Sequence, residues 1–182
     1  AAAPTQQAAL LECYARVGDA AAGPNLLAIA REKGRAPGLR VAAARSLIEV
    51  DAGSGIPVVA SLLQEASPLP DLYLLVHLLA GTGKVEAIPV LAAALQQNGD
   101  RSVRCHAATG LGNFKGTASI EALAAAATAD EYPAVRTNAL RALARVAPAE
   151  RLREVAERLA TSDPDPALRA VARELAPAGT GR

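Results

Sequence analysis

Apolar residues recur along this chain at the three- and four-residue spacing of a helix face, in paired runs. In Pro133 to Val146 the stripe is Val135, Ala139, Leu143 and Val146, which predicts a helix with one buried side. A second kind of run, Ile56 to Ala66 or Ile88 to Asn98, is apolar with a proline near its start. Proline is tolerated in a first helical turn, where its missing N–H would have no partner anyway. We call the second kind the outer helix and the first kind the inner helix of a pair. Gly, Pro, Asp and Ser cluster between them as stop and start signals.

The pairs repeat. Leu39, Leu72, Val103, Val135 and Leu168 mark the same inner-helix position, with spacings of 33, 31, 32 and 33. On the outer helices Pro24, Pro57, Pro89, Glu121 and Arg153 are spaced 33, 32, 32 and 32 apart. One pair cannot bury its apolar face, whereas stacked pairs share a continuous core. The period predicts a single domain over 1–182, with pairs at 20–50, 51–82, 83–114, 115–146 and 147–175 and a tail at 176–182. Residues 4–19 align with the stretch from Pro37 onward at an offset of 33, so an inner-type helix without an outer partner is expected there, for eleven helices in all. That half pair leaves an apolar face open. It implies either a segment removed before Ala1 or a second copy joined through the exposed end.

Composition sharpens this picture. Alanine occupies 45 of the 182 positions and aromatic residues only 2%. Alanine is the best helix former and a poor strand former, so the chain is expected to be all-α, with helices packed closely through small residues. No apolar run approaches the roughly 20 residues of a membrane span.

The segment Asp130 to Leu143 has the pattern D-x-x-x-x-V-R-x-x-A-x-x-A-L, and Asp163 to Leu175 repeats it in shortened form. This unit resembles the HEAT-like repeat of the phycocyanobilin-lyase type. The resemblance implies a right-handed α-solenoid, a superhelix of about five HEAT-like helix pairs plus the unpaired N-terminal helix, with inner helices lining the concave side. It also implies a structural ladder between neighbouring pairs, with Arg40, Arg104, Arg136 and Arg169 as basic rungs and Asn98, Asp130 and Asp163 as acidic or amide rungs. In the second complete pair Tyr73 replaces Arg and Ser67 stands in the Asp position, so a break in the ladder is expected there.

For function the same fold serves scaffolds, bilin-lyase subunits, metal-dependent hydroxylases and repair glycosylases, so fold by itself carries little functional weight. The hydroxylases carry His-Glu pairs, whereas neither His77 nor His106 is followed by Glu. No metal and no cofactor is expected. Cys105 and His106 are helix neighbours pointing about 100° apart and do not face each other, and Cys13 lies three pairs away from Cys105, so neither a catalytic thiolate nor a disulfide is expected. Gly81 to Lys84, GTGK, lacks the full spacing of a phosphate-binding loop.

Net charge is +1, and 16 of the 19 basic residues are Arg. Up to Gly99 there are 7 basic and 8 acidic residues, and from Asp100 onward 12 and 10. Neither half has the basic excess by which a nucleic-acid binder neutralises phosphates, and no Trp is present for base stacking. The remaining signal is Pro70 to Gly81, PDLYLLVHLLAG, apolar on nearly every face. Leu74, Leu75 and Leu78 stand there where other inner helices place polar groups, so an apolar patch on the concave face is one expectation and tighter burial the other.

The function expected is therefore a non-enzymatic scaffolding or interaction module that binds a protein partner through outward inner-helix positions: Arg45, Leu74, Leu78, Thr109, Asn113, Arg141 and Arg145. The alternative is a subunit of a bilin lyase or isomerase. Cysteine usage leans towards the cytoplasm, and a start of AAAPTQQ leaves a mature secreted or periplasmic chain open.

Overall fold

The computed structural model describes residues 22–65 and 69–176. The expected N-terminal helix at 4–19 with Cys13, the Ser67 position and the tail beyond Ala176 lie outside the described residues. Within them the chain forms ten helices and no strand. They are α1 (Gly23–Arg31), α2 (Pro37–Val50), α3 (Ala52–Leu63), α4 (Leu72–Gly81), α5 (Ala87–Gln97), α6 (Arg101–Leu111), α7 (Thr117–Ala129), α8 (Pro133–Val146), α9 (Ala149–Ser162) and α10 (Pro166–Leu175).

Local chemistry sets where these helices begin. Pro37, Pro133 and Pro166 open α2, α8 and α10, where a preset φ is favourable and no N–H is needed. Aspartates cap three helices, α10 among them. Asp51 accepts from the Gly53 and Ser54 amides at the start of α3, Asp100 from the Ser102 amide of α6 at 2.7 Å, and Asp165 from the Ala167 amide of α10 at 2.8 Å. Each satisfies donors that have no partner inside the helix. The Asp51 cap moves one boundary: α3 begins five residues ahead of Pro57, which therefore lies inside the helix and not in its first turn. Pro57 is exposed.

The chain divides after Val90 into two compact units. In the first, α1 meets α3 and α2 meets α4, with α2 packed on both α1 and α3. In the second, α7 meets α9 in one layer, and α8 meets both α6 and α10 in the other. Each unit is thus two layers of helices, outer against inner.

Leucines and alanines share these interiors. Leu26, Leu47, Leu62, Leu75 and Leu79 are fully buried in the first unit, and Leu111, Leu123, Leu140, Leu143 and Leu168 in the second. Between them sit Ala43, Ala44, Ala107, Ala108, Ala139 and Ala172, each without exposed surface, so helix backbones approach closely. Gly55 is the extreme case. A Cβ there would lie 3.0 Å from the Ile48 backbone, so α3 meets α2 at a distance that only glycine permits.

For Leu75 burial is the expectation that holds. It belongs to the core and not to an open apolar patch, while Leu74 and Leu78 are half-buried and His77 is exposed. The buried set on α4 is Leu75, Val76, Leu79 and Ala80. On α6 it is Val103, Arg104, Ala107, Ala108, Gly110 and Leu111. Repeat alignment matches Leu75 with His106 and His77 with Ala108, so α4 turns a different side to its neighbours.

Candidate interaction surface

The inner helices of the second unit present two kinds of side chain, one inserted between repeats and one facing outward. The inserted kind is the arginine of each rung. Arg104 is 6% exposed and forms a two-pronged pair with Asp130, its Nε at 2.8 Å and one terminal nitrogen at 3.3 Å. The other terminal nitrogen donates to the Asn98 carbonyl at 2.8 Å. Arg136 repeats the arrangement with Asp163 at 2.8 Å on both prongs and with the Asp130 carbonyl at 2.9 Å. A buried guanidinium needs all its donors matched, and a planar fork does this with one carboxylate and the carbonyls at a helix start.

Electrostatics follow from that geometry. The hydrogen bond to Asp130 raises the pKa of Arg104. Burial alone would push the Asp163 carboxyl up, but the bonds from Arg136 and from the Asp165 amide, with the charges of Arg136 and Arg169, hold it below the ordinary 3.8. Asn98 is used differently from the aspartates: its side-chain oxygen accepts the Asp100 amide at 2.9 Å and its carbonyl accepts from Arg104. Arg169 donates to the Asp163 carbonyl at 2.7 Å, and no carboxylate pairs with it among the described residues.

In the first unit the acidic rung is occupied where the sequence implied a gap. Arg40, 4% exposed, forks onto Glu65 and donates its Nε to the Ala30 carbonyl at 3.1 Å. The bond lowers the Glu65 pKa and raises that of Arg40. Glu65 precedes the expected Asp position by two residues, and its extra methylene supplies reach.

The outward kind forms the candidate surface. Arg101, Thr109 and Asn113 are exposed along α6 and just past it, Arg141 and Arg145 are exposed on α8, and Cys105, His106, Thr137 and Asn138 are half-buried. Arg145 crosses to the end of α6, donating to the Thr109 carbonyl at 2.8 Å. Its guanidinium fills the place where a side chain at Gly112 would stand, and a Cβ there would also lie 3.0 Å from that of Ala142. Sequence reasoning selected Arg145 and Thr109 separately; the contact between them and the requirement for Gly112 were missed, because both depend on how α8 crosses α6. Arg45, Leu74 and Leu78 sit half-buried in the first unit.

Reactive groups are few. Burial pushes the Cys105 thiol up, against a hydrogen bond from Asn138, which disfavours the thiolate that a nucleophile requires. The His106 Nδ1 lies 2.8 Å from the Ser102 carbonyl of its own helix. Among the described residues no three His, Cys, Asp or Glu side chains are grouped to hold a metal ion, and no helix is long and apolar enough to cross a membrane. A concavity of about 410 Å³ in the first unit is lined by Gly23, Pro24, Leu27, Val50, Asp51 and Ser54. Its carboxylate is engaged by the Gly53 and Ser54 amides and the Ser54 hydroxyl.

These two features, rungs inserted between stacked helix pairs and an outward polar face, define a helical-repeat protein. Residues 88–176 match the model of HEAT repeats. Among solved structures, a chain in the complex of CpcE and CpcF of phycocyanin lyase from Nostoc sp. is similar at 21% identity, covering 86% of this chain and 99% of that chain with a TM-score of 0.61. Human deoxyhypusine hydroxylase in complex with glycerol is similar at 20% identity, covering 96% of this chain and 80% of that one, with a TM-score of 0.56. The fold is therefore the HEAT-type helical repeat. No curated protein matches the sequence.

Proposed function

We propose that this protein is a non-enzymatic interaction module that docks a protein partner on the outward side of its inner helices. One observation carries the reading. The outward positions of α6 and α8 present a strip of arginine, hydroxyl and amide side chains, while the buried arginines of the same helices, Arg104 and Arg136, are held by Asp130 and Asp163. Rigid helices presenting adaptable polar and arginine groups are suited to recognition. The Nostoc lyase subunits CpcE and CpcF form a complex, a case of this fold meeting a protein partner. Thr109, Asn113, Arg141 and Arg145 are the contact residues proposed in the second unit, and Arg45, Leu74 and Leu78 in the first.

Site-specific photocrosslinking tests the proposal. A benzophenone amino acid at Thr109 is expected to form a covalent adduct with another protein in cells, and the same group at Ala125, exposed on α7, is not. Adducts from position 125 alone would overturn the reading. So would a visible absorbance shift of a free bilin on mixing with the protein, which would favour a lyase-type role.

A further inference from the structure

The strip on α6 and α8 has a charge pattern that specifies its partner's chemistry. Residues 101–111 and 133–146 contain five arginines and no Asp or Glu. Two of the five, Arg104 and Arg136, are buried and neutralised by Asp130 and Asp163. The other three, Arg101, Arg141 and Arg145, are exposed, and among the described residues none lies within ion-pairing distance of a carboxylate. The outer helices differ. Residues 117–129 and 149–162 hold four glutamates and three arginines, and Arg151 there pairs with both Glu121 and Glu154 at 2.6 Å. Charge thus differs between the two kinds of helix, and α6 and α8 carry basic but no acidic side chains.

Resting on the interaction reading above, we propose that this face docks an acidic segment of the protein partner, whose carboxylates pair with Arg141 and Arg145 and, at the start of α6, with Arg101. Arg141 and Arg145 are four residues apart on one helix face, so their stems are about 5 to 6 Å apart. Carboxylates spaced i, i+4 on a partner helix, or i, i+2 on an extended strand at about 7 Å, match that interval. Arg145 is already oriented by the Thr109 carbonyl and the Gly112 gap, so little of its rotamer freedom is left to lose on binding. The guanidinium fork favours two-pronged pairing with carboxylates. A nucleic acid is disfavoured because three arginines neutralise few phosphates. The exposed aromatic of this unit, Tyr132, already has Arg101 at 5.8 Å and Arg104 at 5.3 Å from its ring centroid, which leaves it a poor platform for base stacking.

The test is fluorescence anisotropy of the full chain with a labelled, end-blocked alanine peptide carrying glutamate at every fourth position, alongside its lysine counterpart and a single-stranded oligonucleotide. The glutamate peptide is expected to bind with an affinity that falls as salt rises. Arg141→Glu with Arg145→Glu should weaken it at least about tenfold, while Arg153→Glu with Arg158→Glu on α9 leaves it unchanged. Gly112→Ala should weaken it several-fold. Circular dichroism establishes that the variants are folded, and Arg141→Gln with Arg145→Gln supplies the same contrast if charge reversal disturbs folding. Absence of glutamate-peptide binding, equal binding by the arginine variants, or tighter binding of the oligonucleotide through the same arginines would each overturn the proposal. Photocrosslinking separates it from the parent reading: adducts from Thr109 that persist in the folded double reversal would leave the docking face standing and remove its acidic specificity.

Discussion

Asp163 shows how much one carboxylate holds together. It receives the fork of Arg136 and the Asp165 amide, and its carbonyl receives Arg169. Asp163→Ala leaves Arg136 buried without its counter-charge and is expected to destabilise the second unit by about 3 to 5 kcal/mol, read from a denaturant melt. The same bond sets a pH dependence. Folded Asp163 and Glu65 titrate below their ordinary values of 3.8 and 4.5. Their contribution is therefore complete above those values and is lost as pH falls through the lower folded ones. Melting temperature should stay level from about pH 7 to pH 5 and drop below about pH 4, and Asp163→Asn should flatten that acid limb. An unchanged limb would show that other carboxylates control it. The arginines of these rungs are legible in sequence because each opens an inner helix at the repeat period. Glu65 is not, since it precedes its expected position by two residues, and only the path of the chain after α3 shows that its side chain reaches Arg40.

Helix packing makes two glycines behave oppositely. At Gly55 a Cβ meets the Ile48 backbone, which cannot swing aside, so Gly55→Ala is expected to cost about 1 to 3 kcal/mol. Gly38, in the first turn of α2, has nothing within 4 Å of such a Cβ. Gly38→Ala should stabilise the protein by up to about 1 kcal/mol through reduced freedom of the unfolded chain. A melt in which both changes acted alike would contradict the close α2–α3 contact. Inner-helix phase has its own check: Leu143, fully buried, should cost about 2 to 5 kcal/mol on truncation to Ala, and exposed Arg141 under about 0.5. The α8 stripe is readable because its period alternates apolar and polar positions. The side that α4 buries is not, because a helix apolar on nearly every face offers no polarity to orient it.

Across the whole molecule, stability is distributed over neighbouring helix pairs, since each packs on those next to it within its unit. Nearest-neighbour stacking of this kind couples adjacent pairs more than distant ones. Hydrogen exchange of Asp163→Ala should therefore show lost protection first in α9 and α10 while α1 to α3 stay near wild type; uniform loss along the chain would indicate one cooperative block. The sequence alone determined the all-α class, the period of about 32 residues and the arginine positions, because helix periodicity, proline at helix starts and repeat spacing are local properties written at every unit. Tertiary structure decided the rest: that Glu65 closes a rung, that Leu75 is core, that Arg145 lies across Gly112, and that the outward arginines of α6 and α8 pair with no carboxylate among the described residues. Each depends on which side a helix turns to its neighbour and how near their backbones approach, and those distances arise only when the pairs stack.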